Sequence, residues 1–321
     1  MELLRAMENR GYPEEYLTAR IRRRRAYLVA DWEATLAAAN PLEAVTATPR
    51  RGSLTPASEE SVWEGLLLEF SWVFGQMDDR LRKLFAPVFA WFELRTVIIA
   101  LRNRRSGESR RIGELLLRSL LAESVKRALS RGEEAGRVVG EVAEILEALL
   151  AKRGRLRSAY GAEGVAGFER ELTTLYLEHM AADERHPVIR EFFRCLIDLH
   201  NIMALYKHVR WDMKVSPRFI RGGSIRPTEL AAVLARKDPA GIVVLAGGWA
   251  ASSAQSGAVI SIETLLLRGL TGRLRRMGRA PEGPGFILDY LWRCFMEARN
   301  LSLLIQGGSL ARDTVRGELI Q

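Results

Sequence analysis

The chain has 321 residues, 48 basic and 39 acidic, for a net charge of +9, with 48% hydrophobic and 27% charged residues. That balance excludes a disordered polymer and leaves room for two or three domains with buried cores. Two cysteines exclude a disulfide framework and fit a reducing compartment, while the positive balance admits nucleic acid, anionic lipid or an acidic protein as partner.

Taken in order, the opening MELLRAMENRGYPEEY mixes charges of both signs and does not read as a secretory leader. The following ARIRRRRAYL carries Arg20, Arg22, Arg23, Arg24 and Arg25. On a helix these five spread around most of the circumference, so at least one is expected to pack against a carboxylate. The rest form a solvated face or a contact with an anionic surface such as lipid headgroups. Aromatic residues interleave there only at Tyr16 and Tyr27, short of a single-strand stacking platform.

From Asp31 to the C-terminus the pattern is helical. GELLLRSLLAESVKRALSRG (113–132) and EEAGRVVGEVAEILEALLAKRG (133–154) repeat apolar residues at three- and four-residue spacing, each read as a helix ending near glycine. No proline stands between Val88 and His186. TVIIAL sits inside a longer helical pattern and GIVVLAG is too short to carry a sheet, so an all-α fold is predicted. Loops are expected over 49–58, 105–110, 153–167, 214–228 and 277–285. The uncharged stretch from Pro239 to Ile262 is broken by glycines and serines; it reads as a helix end, a flexible loop and a helix start, not as a membrane span.

Internal repetition organises this pattern. FRCLIDLHN (Phe193–Asn201) and WRCFMEARN (Trp292–Asn300) are versions of one phrase, and each contains one of the two cysteines. Aligned without gaps, helices around Glu93-x-x-Thr96, Asp198-x-x-Asn201 and Glu297-x-x-Asn300 match, at intervals of 105 and 99 residues. Glu64 precedes Glu93, and Glu169 precedes Asp198, by the same 29 residues; in the third copy Glu263 precedes Glu297 by 34. DWEATLAAANPLEAV also aligns with ELAAVLARKDPAGIV, with Pro41 and Pro239 in register. Three helical lobes of about a hundred residues follow from these spacings, 1–108, 109–218 and 219–321.

A carboxylate and an asparagine three apart share one helix face, and in an apolar helix both need internal partners. One reading of the repeated pair is a structural polar layer between helices. The other, acid–base chemistry, needs a second carboxylate or a histidine opposite in a cleft. His179, His186, His200 and His208 show no metal-ligand spacing, and no phosphate-binding glycine motif occurs, so neither metal nor cofactor is expected. Cys195 and Cys294 read as small core residues, and the glycine pairs Gly222-Gly223 and Gly307-Gly308 as helix ends.

YLTARIRRRRAYL, the triplicated [DE]-x-x-N helix, RFIRGGSI and the closing LDYLWRCFMEARNLSLLIQG together resemble the C-type subunit family of V-type and A-type rotary ATPases, whose eukaryotic members are called d. The likeness runs from Tyr16 to about Gln306. Thr96 departs from it by standing where the family pattern has Asn, and Arg221 where a proline often precedes the glycine pair. The resemblance implies a non-catalytic adaptor with three lobes in approximate threefold arrangement around a funnel. The D and F shaft subunits would enter the funnel, and the opposite face would rest on the membrane proteolipid ring. The adaptor would sit peripherally on the cytoplasmic face, transmitting torque for proton or sodium transport, with lipid headgroups within reach. The alternative reading is a basic helical nucleic-acid-binding protein, marked by steep salt dependence; no nucleic acid is expected under the resemblance.

Overall fold

The computed structural model describes residues 3–7, 11–46, 58–105, 109–131, 135–182, 186–250, 261–280 and 283–321. Among these residues the regular structure is helical, as predicted, with isolated bridges only at Leu4–Leu121 and Tyr12–Met77. The helices are α1 (Glu14–Arg25), α2 (Trp32–Ala37), α3 (Pro41–Thr46), α4 (Glu59–Gln76), α5 (Asp79–Arg105), α6 (Ser109–Arg118), α7 (Glu123–Ser130) and α8 (Ala135–Leu149). They continue with α9 (Arg155–Ala181), α10 (Pro187–Arg210), α11 (Pro227–Arg236), α12 (Pro239–Ala250), α13 (Ile262–Met277), α14 (Pro284–Gln306) and α15 (Arg312–Glu318). Starts are set by side chains that take up orphan amides: Asp31 accepts from Ala34 N, Asp78 from Leu81 N, and Ser261 from Thr264 N.

The chain groups into two compact units, one of residues 1–12 and 67–189, the other of 13–66 and 190–321. The first unit packs α5 against α6, α8 and α9. Its centre is aromatic: Phe70 and Phe92 lie 4.7 Å apart between ring centroids, Phe74 and Phe89 5.1 Å, all buried. By length and composition α5 could cross a membrane, yet 72% of its most apolar window is buried inside the protein. The second unit packs α13 against α12 and α14, and α1 against α14. There Trp292 stacks beside Phe192 and Phe295, and its indole donates to Thr271 Oγ1 at 2.8 Å.

Three expectations are corrected. Residues 153–167 are not a loop: α9 starts at Arg155 and is broken only at Glu163–Gly164. Glu147 accepts from the amides of Gly154 and Leu156 and so caps that start, while Leu156 is fully buried. The glycines misled because Gly167 serves close packing: a Cβ there would stand 2.4 Å from the Ala159 carbonyl oxygen. Residues 113–132 are not one helix: the chain leaves helical geometry after Arg118 and resumes at Glu123. Finally, α10 ends at Arg210, well before Gly222 and Gly223, so that pair does not terminate it, whereas Gly307 does cap α14. The loop expected over 49–58 lies outside the described residues except for Ser58, as does most of the loop expected between Val244 and Ile262.

Candidate functional site: carboxylate and asparagine latches

The three repeated helices are α5, α10 and α14, and their polar pairs hold backbone rather than one another. Glu93 is 1% exposed. It accepts from Ser119 Oγ at 2.7 Å and from the Leu120 amide at 2.6 Å. These contacts hold the non-helical break between α6 and α7. Asp198, fully buried, accepts from the Ser224 amide at 2.9 Å, from the Ser224 hydroxyl, and from the Ile225 amide at 3.0 Å, just before α11. The spacing is the same in both copies: 26 and 27 residues separate each carboxylate from its two partners. In the third copy Glu297 Oε1 accepts from the Val29 amide at 2.8 Å, three residues before α2 begins. Each carboxylate therefore holds a segment that leads into a short helix.

The asparagines add a second hold. Asn201 donates to the Ile220 carbonyl at 2.9 Å and accepts from the Ile220 amide at 2.8 Å. Asn300 does the same to Ile320, at 2.7 and 3.0 Å. Both asparagines are fully buried, and both isoleucines lie outside any helix with backbone groups that need partners. Thr96 is placed differently: it is buried one turn beyond Glu93 on the same helix face, where it favours the charged form of that carboxyl. The corresponding positions downstream of Thr96 fall inside α6, where the helix already supplies the backbone bonds.

Burial pushes the Glu93 and Asp198 carboxyls above their ordinary range, while the Ser119 hydroxyl and Leu120 amide, and the Ser224 and Ile225 groups, draw them back. Their oxygens are occupied by donors from the chain itself. Burial also pushes the Cys195 thiol up to about 12, which suppresses the reactive thiolate. It brings His200 down to about 4, holding that ring neutral. Among the described residues no group of three His, Cys, Asp or Glu could hold a metal ion.

The arginine run divides. In α1, Leu17, Thr18 and Ile21 are buried. At the end of the helix Arg25 pairs with Asp289 and lies 4.2 Å over the Phe286 ring, with Arg22 at 5.9 Å from the same ring. Arg20 lies 5.7 Å over Tyr16. Arg23 is exposed and Arg24 half-buried. Asp289, 1% exposed, also accepts from Arg293 Nε at 2.9 Å. Burial brings the Arg25 guanidinium down to about 10, with Arg293 adding repulsion. A cavity of about 540 Å³ opens beside this cluster, lined among others by Arg25, Arg275, Arg293, Asp31 and Glu297. A second cavity of about 460 Å³ in the first unit is mostly apolar, with Leu94, Leu172, Pro87 and Tyr176 in its walls.

Reading the sequence for chemistry missed Ser119, Ser224, Ile220, Ile320 and Asp289. The two serines were accessible, since they stand at one register in two copies of the repeat. Asp289 also left a trace, as a lone carboxylate in an apolar helix eight residues before Glu297.

No curated protein matches the chain. The family model for the C/AC39 subunit of ATP synthase matches residues 45–317, which takes in all three repeated helices and their latched segments apart from Val29 and Ile320. The chain belongs to this family of V/A-type ATP synthase subunits, peripheral components of a membrane-associated ATPase.

Proposed function

We propose that the chain is the central-stalk adaptor of a V/A-type ATPase, a non-catalytic part that seats the D and F shaft subunits on the proteolipid ring at the cytoplasmic face. In this reading the three repeats, 1–108, 109–218 and 219–321, are lobes arranged as a funnel that receives the shaft tip. The adaptor passes torque between ATP hydrolysis and proton or sodium movement.

One observation carries the proposal: on each of α5, α10 and α14, all inside the family match, a repeated carboxylate takes a backbone amide from the entry to a short helix. Each closing helix holds the entry to a short helix, Glu93 before α7, Asp198 before α11 and Glu297 before α2. The order is cyclic, with the third copy returning to the N-terminal segment. Fixed connections of this kind suit a part that must transmit load without yielding. Their carboxylates are engaged by separate backbone segments, which supports a structural role over a shared acid–base centre.

Mixing the purified chain with the D and F shaft subunits at low salt tests the proposal. A stable complex containing one copy of each is the expected result, and its absence under those conditions contradicts the proposal.

A further inference from the structure

From the last turn of α10 the chain runs into a cationic stretch with exposed apolar side chains, which the latches anchor only at its far end. Trp211 is 61% exposed, Met213 48% and Val215 80%. Single exposed apolar side chains are ordinary, but three large ones within five residues are not. Lys207, Arg210, Lys214, Arg218 and Arg221 are exposed around them. From 207 to 221 five basic residues face one acid, Asp212. That acid is paired with Lys237, at the end of α11, so its charge is matched from within the protein.

The segment is held at both ends. Trp211 and Met213 donate their amides to the carbonyls of Lys207 and His208, at 3.1 Å each. At the other end Asn201 clamps Ile220 and Asp198 holds Ser224 and Ile225. The apolar side chains are thus presented from an anchored base. Arg25, by contrast, turns inward from the N-terminal arginine run onto Asp289.

The chemistry of the segment selects its partner. Tryptophan favours the boundary between hydrocarbon and headgroups. Lysine and arginine lay their stems on apolar surface while their charges stay with phosphate. A folded acidic protein would need a hollow shaped to receive these side chains, whereas a fluid bilayer accepts them without one. We propose that residues 207–221 contact an anionic membrane surface. Lys214 and Arg221 meet lipid phosphates, and Trp211, Met213 and Val215 enter the interface. The inference rests on the family reading for the neighbouring membrane, while exposure and charge mark the contact itself.

Vesicle flotation of the full chain tests this, comparing phosphatidylcholine with a two-to-one mixture of phosphatidylcholine and phosphatidylglycerol. The chain is expected to float with the anionic vesicles, less so as salt rises, and only weakly with phosphatidylcholine. At about 1 kcal/mol per basic residue, the double variant Lys214→Gln/Arg221→Gln should lose affinity roughly thirty-fold. Trp211→Ser should remove most quenching of tryptophan fluorescence by lipids brominated in their acyl chains. Unchanged thermal unfolding and retained D/F co-purification of both variants keep the readout specific. Failure of the wild type to float while it still binds D and F overturns this inference alone and spares the family reading. Flotation unaffected by the double variant overturns it as well. Retention on polyglutamate without binding to either vesicle would replace the membrane with an acidic protein partner.

Discussion

Asn201 and Asn300 each spend both ends of their amide on one isoleucine, so neither end is replaceable by an apolar group of the same shape. Asn201→Leu or Asn300→Leu leaves a buried amide and carbonyl unpaired and should cost ~1–3 kcal/mol in urea unfolding. His200, next to Asn201, supplies a pH dependence. Its pKa falls from the ordinary 6.5 to about 4 on folding, so the unfolded chain takes up the proton first. Stability is therefore lost as pH falls from about 6.5 to about 4, and His200→Gln should remove that part of the loss. Glu93 and Asp198 act in the opposite sense, because their raised carboxyls bind protons more readily in the folded state. The His200 effect is thus read as the difference between wild type and variant across that window; a difference that does not change with pH contradicts it.

At the scale of elements, the latches explain where helices stop. Leu120 and Leu121 are buried apolar residues in a good helical pattern, and nothing local ends α6 there. The helix breaks where Glu93 takes the Leu120 amide and Leu4 bridges Leu121, contacts across 27 and 117 residues that periodicity does not contain. That is why helix type and the repeat were legible in the sequence while this boundary was not. The carboxylate and asparagine positions were legible from the repeat; of their partners only Ser119 and Ser224 left a trace there, because the repeat is written in the helices and only faintly in the segments that follow them. Gly223 shows how closely one such segment fits. A Cβ there would stand 2.1 Å from Asp198 Oδ1 and 3.2 Å from Ile197 Cγ2. Gly223→Ala should displace Asp198 from its donors and cost ~1–3 kcal/mol, measured by urea unfolding. Gly308→Ala, where a Cβ meets nothing within 4 Å, is the control expected to lie near zero.

For the whole molecule, three copies of one helix and latch distributed over two compact units describe a scaffold whose polar groups are spent on its own backbone. The family match places this scaffold among V/A-type ATP synthase subunits. Part of the net positive charge, which from composition alone admitted nucleic acid, lies in the outward segment around Trp211, whereas Arg25 is neutralised inward by Asp289. The most direct measurement is ATP-driven ion uptake by vesicles carrying the membrane sector, reassembled from the remaining ATPase subunits with and without this chain. The account predicts that adding the chain restores uptake coupled to hydrolysis, and that the chain alone hydrolyses no ATP. Full uptake in its absence would contradict it.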